Sequence, residues 1–302
     1  MNRAGASAAS PRERDLAERL STLVRIATVT PPDDGPLAPE VALTFTHLQE
    51  QLREFFPHVF STVRFEAVGR AGLLGHLEGS GNAGAQGAVV LMAHQDVVPA
   101  PTGDGAGGWH SAGWSHPPFA GVVAEGSDGL TIYGRGTLDD KGSLLVLCEA
   151  LEGSLASGWL PQRDLYLLFG ADEEAEGPSA VAAVEVLRER GVNPWLVLDE
   201  GGAVVSGAIP GMRAPMAAIG VAEKGVVSLE IVAQADPPQP AHASTPPRRS
   251  AVATLARALT ALERHPHPAV VDEVTVAMLN AVAPHVRPPL RSVLSRAGKL
   301  RG

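Results

Sequence analysis

Ala88-Val89-Val90-Leu91-Met92-Ala93-His94-Gln95-Asp96-Val97-Val98-Pro99 decides how the rest of the chain is read. Its unbroken apolar run predicts a short strand buried on both faces, and His94 and Asp96 sit at its carboxyl end. The same order recurs twice. Leu165-Tyr166-Leu167-Leu168-Phe169 precedes Asp172-Glu173-Glu174, and Trp195-Leu196-Val197-Leu198 precedes Asp199-Glu200-Gly201-Gly202. Buried strands alternating with helical patterns predict an α/β fold with helices on both faces of a sheet. In such folds sites lie beyond the carboxyl ends of strands, so three clusters can converge.

Outward from these strands, Leu16, Leu20, Leu23 and Ile26 have helical spacing and predict a helix over Arg12 to Ile26. Thr30-Pro31-Pro32-Asp33-Asp34-Gly35-Pro36 ends it, and a second helix is expected from Pro39 to Phe56. Val63 to Leu77 reads as one or two strands. Pro178 to Arg190, with Gly191 behind it, has the Pro-first, Gly-last asymmetry of a helix. After Pro215 the texture changes: a half-alternating strand from Val226 to Ala233, a Pro-rich stretch from Pro237 to Pro247 holding His242, and a helix from Arg249 to Arg264. The expected domains are a catalytic portion at 1–218 and a partial α+β domain at 219–302.

Composition narrows the function. The 302 residues are 45% hydrophobic, enough for a sizeable core, and the net charge of −9 argues against nucleic acid as a partner. No apolar run approaches a membrane span. Met1 to Asp15 is polar, with no apolar segment after its basic residues, so the expected location is cytoplasmic. A single cysteine, Cys148, excludes an internal disulfide framework and reads as a buried small hydrophobe.

The clusters carry chemistry of one kind. His94 and Asp96, two apart on a strand, point the same way, so a metal-binding imidazole could be oriented by the carboxylate on its other nitrogen. Asp139-Asp140 lies between Gly136 and Gly142 at the head of an apolar helix; it could cap that helix or bridge two cations. Asp172-Glu173-Glu174 sets three acids side by side in apolar sequence, a crowding that cations would offset. One glutamate could bind metal and its neighbour accept a proton from the attacking water. Asp199-Glu200 could complete the shell. Each cluster alone has an ordinary structural reading; together, at strand ends and in this order, they indicate a metal site. Histidine and carboxylates without thiolates suit zinc, with cobalt or manganese as substitutes.

His-x-Asp-Val-Val-Pro at 94–99, Tyr-Gly-Arg-Gly-Thr-Leu-Asp-Asp-Lys-Gly at 133–142, Asp-Glu-Glu at 172–174 and Asp-Glu-Gly-Gly at 199–202 resemble the M20 family of metallopeptidases. Within that family the pattern is most similar to the carboxypeptidase S and N-acyl-amino-acid hydrolase branch. The resemblance implies a zinc-peptidase-like catalytic domain, with a mixed, mostly parallel sheet flanked by helices, plus the start of a smaller lid and dimerisation domain. It implies two zinc ions. His94 binds one; Asp139 bridges both, with a cis peptide after it; Glu174 binds the other; Asp199 is the next ligand beside His94, with Glu200 as the alternative acid. Glu173 is the implied general base, and Asp96 stands behind His94. His242, in Gln239-Pro240-Ala241-His242-Ala243-Ser244, matches the lid segment whose histidine stabilises an oxyanion in a partner subunit's site.

The implied activity is metal-dependent hydrolysis of linear amides, of carboxypeptidase or N-acyl-amino-acid amidohydrolase type. The implied partners are a peptide or N-acyl amino acid substrate and a second copy bound through the lid. The family's last metal-binding histidine is not matched by the context of His265, His267 or His285. The chain is therefore expected to be C-terminally truncated. The second reading is a catalytically impaired remnant, at most a metal-binding or interaction module.

Overall fold

Ser10 starts the first helix by a reciprocal cap: its hydroxyl accepts from the Glu13 N–H at 3.3 Å, and its own N–H donates to the Glu13 carboxylate at 2.6 Å. The computed structural model describes residues 9–32, 35–81, 87–103, 105–126, 129–212, 214–223, 225, 227–234, 250–268 and 270–300. The chain forms two compact units, Met1–Glu200 and Gly201–Gly302.

In the first unit, α1 (Pro11–Arg25), α2 (Pro39–Phe55) and α3 (Pro57–Thr62) precede β1 (Arg64–Val68), β2 (Gly72–Leu77) and β3 (Ala88–His94). A small hairpin, β4 (Val122–Gly126) and β5 (Gly129–Tyr133), leads to α4 (Lys141–Ala156). β6 (Leu165–Gly170), α5 (Pro178–Glu189) and β7 (Pro194–Leu198) follow. The helices at 12–26, 39–56 and 178–190 thus appear where the sequence predicts them.

Five strands form one mixed sheet in the order β1-β2-β6-β3-β7. β3 runs parallel to both β6 and β7, while β1–β2 and β2–β6 are antiparallel. The parallel share is thus half the pairings. Only Gly69, Arg70 and Ala71 join β1 to β2, and so short a connection permits only a hairpin. In the parallel part His94 lies opposite Gly170 and Leu91 opposite Leu198, so three strands deliver their carboxyl ends to one edge.

Both faces are covered. Leu165, Leu167 and Phe169 of β6 pack with Leu23, Val24, Leu48, Leu52, Leu144 and Cys148 from the helices of one face. The alternate residues Tyr166 and Leu168 pack with Ala183 and Leu187 of α5. Each such fully buried aliphatic or aromatic side chain contributes about 1.5–3 kcal/mol. Cys148 is fully buried and its thiol pKa is pushed up by that burial, as an inert core residue requires. β7 differs: Trp195, Leu196, Val197 and Leu198 are all exposed on this outer strand.

In the second unit β8 (Ala203–Val205) pairs with β9 (Met216–Ala218), and among the described residues α6 (Ala251–Arg264), α7 (Glu273–Val282) and α8 (Leu290–Leu294) follow. Val276, Val282, Ala283, Val286 and Ala297 are buried. The first compact unit ends at Glu200, and the expected boundary near 219 falls inside the second, just past the β8–β9 pair. The strand expected at Val226 to Ala233 is not formed over 227–233. Alternation makes a strand only where another strand accepts its hydrogen bonds, and Val227, Leu229 and Ile231 are exposed instead. Val226, Arg249 and the Pro-rich stretch with His242 lie outside the described residues. No helix among the described residues is long and apolar enough to cross a membrane.

Candidate metal centre

His94 closes β3 with its ring buried. Nδ1 faces Asp96, 3.0 Å from its backbone oxygen and 3.3 Å from Oδ1. With Nδ1–H donating there, Nε2 is left to face the site. It lies 2.8 Å from Asp139 Oδ1, 3.2 Å from Glu200 Oε1 and 4.0 Å from Glu173 Oε2. Asp96 is itself fully buried and does a second job. Its Oδ1 accepts from the Glu173 N–H at 3.2 Å and its Oδ2 from the Glu174 N–H at 3.1 Å. One carboxylate therefore fixes the imidazole and the turn that carries both glutamates.

Asp139 and Asp140 are joined by a cis peptide bond, as the resemblance implies. Their side chains diverge. Asp139 is 63% exposed toward the site, while Asp140 is buried with Oδ2 accepting from the His94 N–H at 3.1 Å. Asp140 occupies the N-cap position of α4, but its side chain makes no cap hydrogen bond; it ties the loop to β3 instead. Gly136, at φ +86°, lies so close to Val97 and Lys141 that a Cβ there would collide.

The three acids at 172–174 do not stand together. Glu173 and Glu174 lie on a short 3-10 turn, Glu173–Ala175. Asp172 turns inward: Oδ1 accepts from the Ser179 N–H at 2.8 Å, Oδ2 from the Ser179 hydroxyl at 2.7 Å, and Arg70 Nε lies 3.7 Å away. It fastens the start of α5 and leaves the two glutamates to the site. A similar division separates Asp199 from Glu200. Asp199 Oδ1 accepts from the Glu200 N–H at 2.9 Å, and the Glu200 carboxylate reaches His94. Among the described residues, two groups place their donor atoms within 4.8 Å of one another: His94, Asp139 and Glu200; and His94, Glu173 and Glu174. Asp199 is in neither group.

The electrostatics show what the cluster requires. Burial lowers the His94 pKa, but Asp96, then Glu200 and Asp139, raise it further, to about 10. Burial, then the charges of Asp140, Asp139 and Glu173, pushes Glu200 up to about 7. Glu173 and Glu174 are raised too, first by burial and then by neighbouring carboxylates. Such crowding of like charge is relieved by a cation. One imidazole nitrogen and several carboxylate oxygens, without thiolate, fit a divalent metal of the zinc or manganese kind.

Residues 90–288 match the sequence model of peptidase family M20/M25/M40. The chain belongs to that family. Its M20 relatives include the N-fatty-acyl-amino acid synthase/hydrolase PM20D1.1 of Danio rerio, 39% identical over 266 residues, covering 86% of this chain and 47% of the relative. Carboxypeptidase S of Saccharomyces cerevisiae is 31% identical over 259 residues, covering 82% of this chain and 41% of the relative. Among solved structures, human carnosine dipeptidase 1 aligns with a TM-score of 0.48 and 20% identity, over 64% of this chain and 40% of that one. This M20 chain thus spans about half the length of the curated relatives it matches.

Beside the ligand candidates, Gln95 and Lys141 carry no role in the sequence reading, and Asp140 carries that of a helix cap or a bridging acid. Asp140 tethers the cis loop, Gln95 hydrogen-bonds Phe169 O at 2.8 Å and Gly170 O at 3.2 Å, and Lys141 is buried whole. The one available signal is Lys141 itself, a charge at the head of an otherwise apolar helix.

Proposed function

We propose that this chain is the catalytic part of a two-zinc amidohydrolase acting on linear amides: the terminal bond of a peptide or the acyl bond of an N-acyl amino acid. The observation that carries the reading is His94 Nε2 at 2.8 Å from Asp139 and 3.2 Å from Glu200, with Glu173 and Glu174 on the adjoining turn. His94, Asp139 and Glu200 would hold one zinc, and Asp139 and Glu174 the second. Glu200 takes the place that the motif assigns to Asp199. The relatives' names, a fatty-acyl-amino acid hydrolase and a carboxypeptidase, support both substrate types.

Bound zinc supplies Lewis acidity to the amide carbonyl and acidifies the attacking water. Glu173, half-exposed and held by its backbone N–H to Asp96, accepts the water proton and passes it to the leaving amine. Asp96 keeps the His94 ring aligned. His242 is proposed to stabilise the oxyanion. Residues 1–218 are proposed as the catalytic portion and 219–302 as part of a lid through which two copies associate. The lone Cys148, buried and inert, suits a reducing cytoplasm.

The test is zinc content and hydrolysis of N-acyl amino acids and dipeptides, with Glu173→Gln alongside. Glu173→Gln is expected to keep its zinc and lose about 10²–10⁴-fold in kcat. A wild-type chain that binds zinc without turnover would favour the impaired-remnant reading. A chain that binds no zinc would overturn the metal-centre reading.

A further inference from the structure

Among the described residues, Lys141 is the only charged one of the largest fully buried side chains. Its Nζ donates to Leu23 O at 3.0 Å and Ile26 O at 2.5 Å, both at the carboxyl end of α1. Each carbonyl also accepts a backbone N–H, Leu23 O from Ile26 at 3.2 Å and Ile26 O from Thr28 at 2.9 Å, so the ammonium is a second donor to both, at the helix end where a cation is favoured. Burying an ammonium is nonetheless costly, and a methionine would fill the same space without that cost. Packing alone therefore does not call for a lysine.

The location suggests what does. Lys141 directly follows Asp139-Asp140, and its stem lies against Gly136, so it grips the loop that presents Asp139. The segment it grips has a second attachment: two residues past Ile26, the Thr28 hydroxyl donates to Gln95 O at 2.6 Å, and the Val97 N–H donates to Thr28 O at 3.0 Å. Gln95 sits between His94 and Asp96. The Asp139 loop and the His94 strand are thus bolted to one short stretch, Leu23 to Thr28. This route is separate from the Asp140–His94 bond.

We propose that Lys141 is a positioning residue that fixes Asp139 opposite His94, so that the metal site is assembled before any cation arrives. The inference rests on the metal-centre reading. Its test is zinc affinity, read by competition with a chromogenic chelator on the full chain, together with thermal midpoints of the metal-free proteins. Lys141→Met is expected to fold and to bind zinc about 10–100-fold more weakly, the usual loss when a partner behind a ligand is removed. Leu151→Ala, a buried change further along the same helix, is expected to lower the midpoint and leave zinc affinity unchanged.

Lys141→Gln, polar enough to spare the fold but uncharged and too short to hold both carbonyls as the ammonium does, serves if the methionine variant does not fold. Weaker zinc binding by the folded variant supports the proposal. Wild-type affinity in the lysine variants, or an equal loss in Leu151→Ala, overturns it and leaves the metal-centre reading intact. A wild-type chain that takes up no zinc brings down both.

Discussion

At the scale of single residues, the His94 ring sets the site's relation to pH. Its pKa of about 10 means that both ring nitrogens are protonated at neutral pH in the metal-free protein, while a metal needs the Nε2 lone pair. Uptake of a divalent metal must expel that proton, and Glu200, raised to about 7, adds to the release. Calorimetry in buffers of different ionisation enthalpy should therefore record net proton release at pH 7, with affinity rising as pH climbs. Release near zero would mean that His94 is not a ligand. The ligand types are legible in the sequence because a histidine and acids closing apolar strands have few other uses. The choice between Asp199 and Glu200 is not legible: the two are adjacent, and only the direction of the backbone decides which one turns to the imidazole.

At the scale of elements, Asp172 shows how a run of like letters hides unlike roles. It reads as a third acid of the site and proves to be the fastening of α5. Asp172→Ala is expected to destabilise the first unit by about 1–3 kcal/mol, since it strips partners from the buried Ser179 N–H and hydroxyl. Urea denaturation would check this, and an unchanged midpoint would deny the fastening any weight. The strands at 88–94, 165–170 and 194–198 are legible because their apolar runs end in punctuation. The alternating stretch at 227–233 misleads because alternation records only a preference, and the pairing strand is not recorded in local sequence.

At the scale of the whole molecule, α6 bears on association. Val252, Leu255, Leu259 and Leu262 recur at three- and four-residue spacing along it, and none is buried within its unit. If two copies associate through this face, Val252→Asp with Leu259→Asp should convert a dimer to a monomer in sedimentation velocity. A wild-type chain already monomeric at micromolar concentration would count against the lid as an interface. The sequence reaches the α/β class and both covered faces through period and punctuation; the antiparallel start of the mixed sheet rests on connection length, three residues between β1 and β2. The division after Glu200 also has a bearing on biosynthesis. Every described ligand candidate lies between His94 and Glu200. A ribosome adding about 5–20 residues per second needs several more seconds to complete the second unit. If the cluster takes up a divalent metal, capture can begin on the nascent chain, before the second unit has been made.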